Sequence, residues 1–477
     1  TEEGTGDLDN DGKPNHFDLD SDGDGCLDVT EAGLPDSDSD GLLGTSTVTV
    51  DSLGLVISNS GGYVTPADSD SNGVYDFLEK GSEVYIVSNP SSVSIIETRN
   101  ARYEIVVNVG HGFENIEKED IILIDDGLIK LEVNEVNDAN QTLACTIQEG
   151  GLLSRRKGFE VLDKVITKSG LGEEDKEDLR KLAKLNVDWV ALSFVNQASD
   201  VDQARQVLSS LDSEMRVIAK IERLSALKDL NWIIKASDGV MVARGDLALE
   251  SGPGELTGLQ KTIINQTVAG KKIAITATQM MESMINNPSP TRAEMTDVSN
   301  AVLDGTDAVM LSAETAIGQY PIETVKAMSE VCEGAETYQQ TRSKKEKFKF
   351  SELQRIDEAI AISSMSIARN MKIEAIIALT ESGSTALMMS RIRSDIPIYA
   401  FTRNEFTQRR VSLYRGVNSY PYKFKANTFS EVLSEVSKEL LQSEMVSLGD
   451  LVIITSGSPL KVEGYTNSLR IIEIGDR

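Results

Sequence analysis

The apolar positions of this 477-residue chain change period three times. Over residues 83–162 they alternate in short runs (83–87, 103–109, 121–124, 129–133 and 142–147), which predicts short antiparallel strands in a small β domain. Asp125-Asp126-Gly127 falls between two of the runs as a hairpin turn. From Glu173 the pattern becomes apolar, β-rich runs at 189–194, 217–219, 240–243, 273–276 and 308–311, separated by helical stretches. This rhythm predicts parallel strands with crossover helices. A helical linker near 335–346 leads to a third region, where 375–379, 398–401 and 451–455 read as strands of an open α/β domain. Residues 1–82 show no such period. The expected segments are therefore 1–82, 83–162, 163–342 and 343–477.

Charge separates the first segment from the rest. The formal net charge is −29; residues 1–83 hold 20 Asp and Glu against Lys13 and Lys80, which is −18 and leaves −11 for the other 394 residues. Such acidity disfavours nucleic acid and suits cations or a cation-bridged phosphate. No apolar run is long enough to span a membrane, and the first residues do not read as a signal peptide but as the middle of a longer frame. Cys26, Cys145 and Cys332 are too few and too scattered for a disulfide framework. With only His16 and His111, histidine chemistry is not expected to be central.

The acidic segment repeats Asp-x-Asp-x-Asp/Asn-Gly. A calcium loop requires oxygens at positions 1, 3 and 5, glycine at 6 and a carboxylate at 12. Asp7, Asp9 and Asp11 lead to Asp18; Asp20, Asp22 and Asp24 lead to Glu31; Asp68, Asp70 and Asn72 lead to Glu79. The loop from Asp36 meets Thr47 instead. The repeats resemble thrombospondin type 3-like calcium repeats, which implies Ca²⁺ and, for that end alone, an extracellular setting.

In the βα region each run ends in polar residues: Lys220-Ile221-Glu222, then Ala243-Arg244-Gly245-Asp246, Thr276-Ala277-Thr278-Gln279 and Leu311-Ser312-Ala313-Glu314. Strand ends of this kind build the active sites of (β/α) barrels. Glu222 and Asp246 are hard oxygen donors for Mg²⁺ or Mn²⁺. Lys220 shares a strand face with Glu222 and could offset charge on a phosphoryl group in transfer. Backbone amides at Gly245 could bind a carboxylate.

These residues, with MVARGDL at 241–247, NPSPTRAE at 287–294 and LDGTDAVMLSAE at 303–314, resemble pyruvate kinases, closer to the bacterial type II enzymes than to the animal ones. The resemblance covers roughly 83–477. It implies a (β/α)8 TIM barrel with a small β-barrel lid and a C-terminal α/β domain, present here as a partial barrel. It further implies phosphoryl transfer from phosphoenolpyruvate to ADP in glycolysis, with Mg²⁺ and K⁺. Glu222 and Asp246 would hold the Mg²⁺, Lys220 the phosphoryl group, and the amides of Ala243, Arg244, Gly245 and Asp246 with the Thr278 hydroxyl the substrate carboxylate. Ser312 and Glu314 match a position linked to proton delivery. Asp126 and Lys157 fall in the lid over the nucleotide. Thr380, Ser382, Ser384 and Thr385 match a loop that binds the phosphate of a sugar-phosphate or AMP effector. Cytoplasmic localisation and a homotetramer, if the barrel is complete, are also implied.

The family begins with three further βα units, which supply phosphate-binding Arg and Asn and most K⁺ ligands; none is found here. Five units do not close an eight-stranded barrel, so an apolar interior would be left exposed and the chain could be inactive. Two further readings follow: a calcium-binding structural or extracellular protein carrying an inactive kinase remnant, and an effector-binding module.

Overall fold

A computed structural model describes residues 80–88, 97–99, 102–107, 113, 115–124, 127–137, 142–151, 153, 158–162, 171–185, 187–252, 254–343, 355–392, 394–422, 429–457 and 466–475. Seven strands come first: β1 (Glu83–Ser88), β2 (Glu97–Arg99), β3 (Arg102–Val107), β4 (Ile121–Ile124), β5 (Ile129–Asn137), β6 (Thr142–Glu149) and β7 (Phe159–Val161). The described residues divide into two compact units, one within 80–107 and 128–153, the other within 113–127 and 158–475.

In the first unit the strand order is β2-β3-β1-β6-β5. Period-2 alternation buries Val84, Ile86, Leu131, Val133, Leu143, Cys145 and Ile147 on one face. The expectation of purely antiparallel strands fails at one place: β1 pairs with β3 in parallel, Ile86 opposite Ile105. The cause is local. β2 and β3 form the antiparallel hairpin, Arg99 opposite Arg102, so β3 returns beside β1 in the same direction.

In the second unit β4 and β7 pair antiparallel. The βα region then forms a parallel sheet of β8 (Trp189–Leu192), β9 (Arg216–Ile221), β10 (Gly239–Ala243), β11 (Ile273–Ala277) and β12 (Ala308–Val309), in the order β12-β11-β10-β9-β8. Among the described residues it is open and five-stranded, as the count of βα units predicted. One face, carrying Val217, Ala219, Ile221, Val240, Val242 and Ala274, is buried with Leu179, Val201, Ala204, Leu208, Ile233 and Ile263 from the crossover helices.

The expectation that the opposite face lies exposed is corrected. Ile218, Met241, Ile273, Ile275 and Ala277 point to that side and belong to a buried cluster that continues through Met365, Ile376, Met389, Ala400, Val411 and Tyr414 of the C-terminal domain. Burying side chains of this size stabilises by about 2 kcal/mol each, enough to make this face a docking surface. Polar contacts align the two parts. Arg391 forms a buried ion pair with Asp307, just before β12, and its Nη1 donates to Lys272 O at 2.8 Å. Arg409 pairs with Asp188, just before β8, at 2.6 Å.

The C-terminal domain is a second sheet, β15-β14-β13-β16-β17, built from β13 (Ala375–Leu379), β14 (Ile398–Thr402), β15 (Val417–Pro421), β16 (Leu451–Gly457) and β17 (Thr466–Glu473). The sequence pattern found β13, β14 and β16. It missed the outer strands β15 and β17, because half-exposed edge strands such as TNSLRIIE carry no continuous apolar run. The helical linker expected near 335–346 is the end of one long helix, Pro321–Ser343.

Candidate active site

All five sheet strands point their C-terminal ends to one side, and four residue groups of the sequence reading meet there. Lys220 and Glu222 share a face of β9 and its extension. Their charges pair at 2.6 Å, with Glu222 1% exposed and Lys220 partly open. Lys220 also donates to Ser193 Oγ at 2.8 Å, and the Phe194 amide donates to Glu222. Ser193 and Phe194 were missed as site residues because 189–194 read as one strand. β8 stops at Leu192, and Phe194 turns into left-handed backbone at φ 54°. The signal was available: SFVN follows an apolar run as the other polar groups do.

After β10, Ala243 caps the helix Arg244–Ser251, so Arg244, Gly245 and Asp246 form its first turn. The first turn of a helix leaves amides without intrahelical partners, which suits an anion. The Gly245 amide donates to Thr278 Oγ1 at 2.8 Å. The Asp246 carboxylate is half-buried and makes no hydrogen bond or ion pair among the described residues.

Arg244 plays a different part from its amide. Its guanidinium is buried and donates to Thr278 O at 2.6 Å, Gln279 O at 3.2 Å and Ala277 O at 3.3 Å, and it pairs with Asp297 at 2.6 Å. Thr278 and Gln279 both have left-handed backbone, φ 68° and 51°, a conformation costly for such residues. Arg244 therefore pins the turn that aims the Thr278 hydroxyl at the Gly245 amide. Asp297, its acidic partner, comes from the helix Arg292–Asp304. Glu294 in the same helix completes a capping box with Thr291 and accepts from Ser283 N at 2.7 Å. Burial pushes the Glu294 carboxyl up, but these hydrogen bonds from Ser283 and Thr291 hold it below its ordinary value.

Glu314 is 2% exposed and accepts from the Ser312 amide at 2.7 Å and the Met281 amide at 3.3 Å. It ties the end of β12 to the segment after β11. Ser312 itself is exposed.

The C-terminal loop after β13 is closed on itself. Gly383, at φ 82°, donates to Thr380 Oγ1 at 2.9 Å, and a Cβ there would meet Val411 Cγ1 at 2.8 Å. The Thr385 hydroxyl is buried against Thr466 at 2.6 Å, while Ser382 and Ser384 stand 3.4 Å apart. Asp126 and Lys157 lie outside the described residues, as do all the calcium-repeat positions, Asp7, Asp9, Asp11, Asp18, Asp20, Asp22, Asp24, Glu31, Asp68, Asp70, Asn72 and Glu79.

Among the described residues no group of three or more His, Cys, Asp or Glu could enclose a metal ion. Glu222 and Asp246 nevertheless fit Mg²⁺, which commonly takes one or two protein carboxylates and completes its shell with water and substrate phosphate. An Asp carboxylate with no partner among the described residues, one strand from a buried Glu, is the donor set that such an ion needs.

Taken together, a parallel βα sheet with lysine, carboxylates, helix-terminal amides and a strained hydroxyl-bearing turn at its strand ends defines an enzyme of phosphate chemistry. The pyruvate kinase barrel-domain family matches residues 63–325, and the pyruvate kinase alpha/beta-domain family matches 358–472. The chain belongs to the pyruvate kinase family. It is 45% identical over 376 residues to a pyruvate kinase of Buchnera aphidicola subsp. Baizongia pistaciae, covering 77% of each chain. It is 46% identical over 361 residues to pyruvate kinase II of Salmonella typhimurium, covering 74% of each, in line with the expected type II character. A crystal structure of a pyruvate kinase from Cryptosporidium parvum superposes with a TM-score of 0.72 at 32% identity, covering 83% of this chain and 79% of that one. The barrel match starts at residue 63, so it takes in Asp68, Asp70, Asn72 and Glu79; the calcium reading gains no support from these comparisons. Neither does the reading as a structural protein with a kinase remnant. No helix among the described residues is long and apolar enough to cross a membrane.

Proposed function

We propose that this chain transfers the phosphoryl group of phosphoenolpyruvate to ADP, with Mg²⁺ (or Mn²⁺) and K⁺, in the cytoplasm. The observation that carries the reading is the joint placement of Lys220, Glu222, Asp246 and Thr278 at the ends of three adjacent parallel strands. In the reaction the P–O bond to the enol oxygen breaks, a bond to the ADP β-phosphate oxygen forms, and the enolate takes a proton at carbon to give pyruvate. Lys220 contributes a positive charge beside the phosphoryl oxygens as they pass between the two groups. Glu222 and Asp246 would hold the divalent ion, which neutralises phosphate charge when bound. The first turn of the helix Arg244–Ser251 and the Thr278 hydroxyl orient the substrate carboxylate. Because the Glu314 carboxylate braces two backbone amides, the exposed Ser312 hydroxyl is the better placed of the two for proton delivery to the enolate. Residues 380–385 are assigned to an effector phosphate, with Ser382 and Ser384 the hydroxyls still open to it.

The test is pyruvate formation from phosphoenolpyruvate and ADP with Mg²⁺ and K⁺, followed by coupled oxidation of NADH. Turnover is expected from the purified chain, and Lys220→Ala should lower kcat by about three orders of magnitude or more, the loss of one charge contact to the transition state, with the unfolding transition unchanged. A folded, monodisperse chain without turnover would refute the proposal, and so would undiminished activity in Lys220→Ala.

A further inference from the structure

The turn after β8 supports the Glu222 carboxylate, and it is itself held by side chains that the chemistry does not use. Phe194 is left-handed at φ 54°, a costly conformation for a residue with a Cβ. Its amide donates to Glu222. Its carbonyl accepts from Asn196 Nδ2 at 3.0 Å, and the Asn196 side-chain oxygen accepts from Ser225 Oγ at 2.6 Å. Val195, the next residue, is buried in the core on the helix-covered face of the sheet.

Arg223 lies against this turn. Its guanidinium carbon stands 4.9 Å from the centre of the Phe194 ring, within cation–π range. The side chain is 12% exposed, and its Nε lies 4.0 Å from Glu250 Oε1, a long pair. Its Nη1 is buried and has no hydrogen-bond partner among the described residues. Keeping a guanidinium this dry costs free energy, which the ring face and the Glu250 charge offset in part. The other Glu250 oxygen accepts from the Leu224 amide at 2.7 Å. Glu250 comes one turn after Asp246 in the helix Arg244–Ser251, so the two lie on one face of it. Arg223 therefore stands between the supports of two carboxylates: Phe194, whose amide holds Glu222, and Glu250, whose helix carries Asp246.

We infer that Arg223 is a positioning residue for the divalent-metal site: stacked on Phe194 and drawn toward Glu250, it fixes the turn whose amide orients Glu222 and sets that carboxylate against Asp246. The inference rests on the reading of Glu222 and Asp246 as the Mg²⁺ ligands. Charge alone works in the opposite sense. A guanidinium one residue from Glu222 repels a divalent cation, so an Arg223 acting only as a charge would weaken metal binding, and its removal would tighten it. An Arg223 that merely packed would leave the affinity unchanged when removed. Positioning gives a loss instead, because removing the partner that orients a metal ligand commonly weakens the metal by about ten- to a hundredfold.

The experiment is titration of the full chain with Mn²⁺, the free ion measured by its electron paramagnetic resonance signal, so that no turnover is needed. The ion bound by the unaltered chain but not by Glu222→Gln reports this site. Its affinity is expected to fall about tenfold in Arg223→Gln. Phe194→Leu, which stays apolar but removes the ring, should weaken it about as much, and the double variant should be at most about twofold weaker than the weaker single one, since the two side chains act as a unit. Arg223→Lys, which keeps a cation over the ring, should bind within about threefold of the unaltered chain. Should Arg223→Gln fail to fold, Phe194→Leu decides, because that side chain is 42% exposed. Unchanged or tighter binding in Arg223→Gln, or single effects that multiply in the double variant, overturns the inference and leaves the metal assignment standing. Equal Mn²⁺ binding by the unaltered chain and Glu222→Gln overturns both.

Discussion

Arg244→Met removes the pin on the Thr278 turn and nearly preserves volume. Two of its bonds to backbone carbonyls, to Thr278 O at 2.6 Å and Gln279 O at 3.2 Å, are charge-assisted. Such bonds contribute about 1.5–3 kcal/mol each. The Asp297 pair is partly solvated, the Asp side chain being 39% exposed, and adds at most about 1 kcal/mol. Against this, Thr278 and Gln279 can leave the left-handed region once released, which returns about 1–2 kcal/mol per residue. The net loss is therefore about 2 kcal/mol, with the turn relaxed. Both tryptophans, Trp189 and Trp232, lie in the same βα region as Arg244, so urea unfolding followed by their fluorescence reports on it. Arg244→Lys should recover less than half of the loss, because one ammonium cannot serve three carbonyls in fork geometry. Relaxation also withdraws the Thr278 hydroxyl from the Gly245 amide, so kcat/KM should fall by about a hundredfold or more, as for loss of a positioned group. A destabilisation below about 0.5 kcal/mol, or full activity in Arg244→Met, would show that the turn holds itself.

Ile275→Ala tests the covered face of the sheet. Ile275 is 6% exposed in the cluster shared with the C-terminal domain, so thermal unfolding should show a loss of about 2–5 kcal/mol; under 1 kcal/mol would mean an open face. Cys145 is buried in β6, and burial pushes its thiol up to about 12. At pH 8 its thiolate is about a thousandfold scarcer than that of an ordinary thiol. Iodoacetamide labelling read by mass spectrometry should thus be at least a hundredfold slower in the native chain than in urea, and equal rates would contradict the burial. The same shift raises the folded pKa above the unfolded one, so the stability it reflects is intact below the ordinary thiol range and declines above it, where the unfolded chain deprotonates first.

Much of the active site was legible in the order of residues because strand chemistry is local. Lys220 and Glu222, two apart, had to share a face, and they pair. The helix start around Gly245 is likewise set within a few residues. Five βα runs gave five parallel strands for the same reason. What no local pattern contained was long-range pairing. Arg244 reads as one more strand-end charge until the fold sets it under Thr278, 34 residues away, and Glu314 reads as an acid until the fold gives it the Met281 amide. The parallel register of β1 and β3 depended on which neighbour closes the hairpin. Hydrophobic period says that a face will be buried but not by what. Only the tertiary structure decided that the inner face of the open sheet meets the C-terminal domain, because apolar area is non-directional and takes whichever complementary surface the chain brings to it.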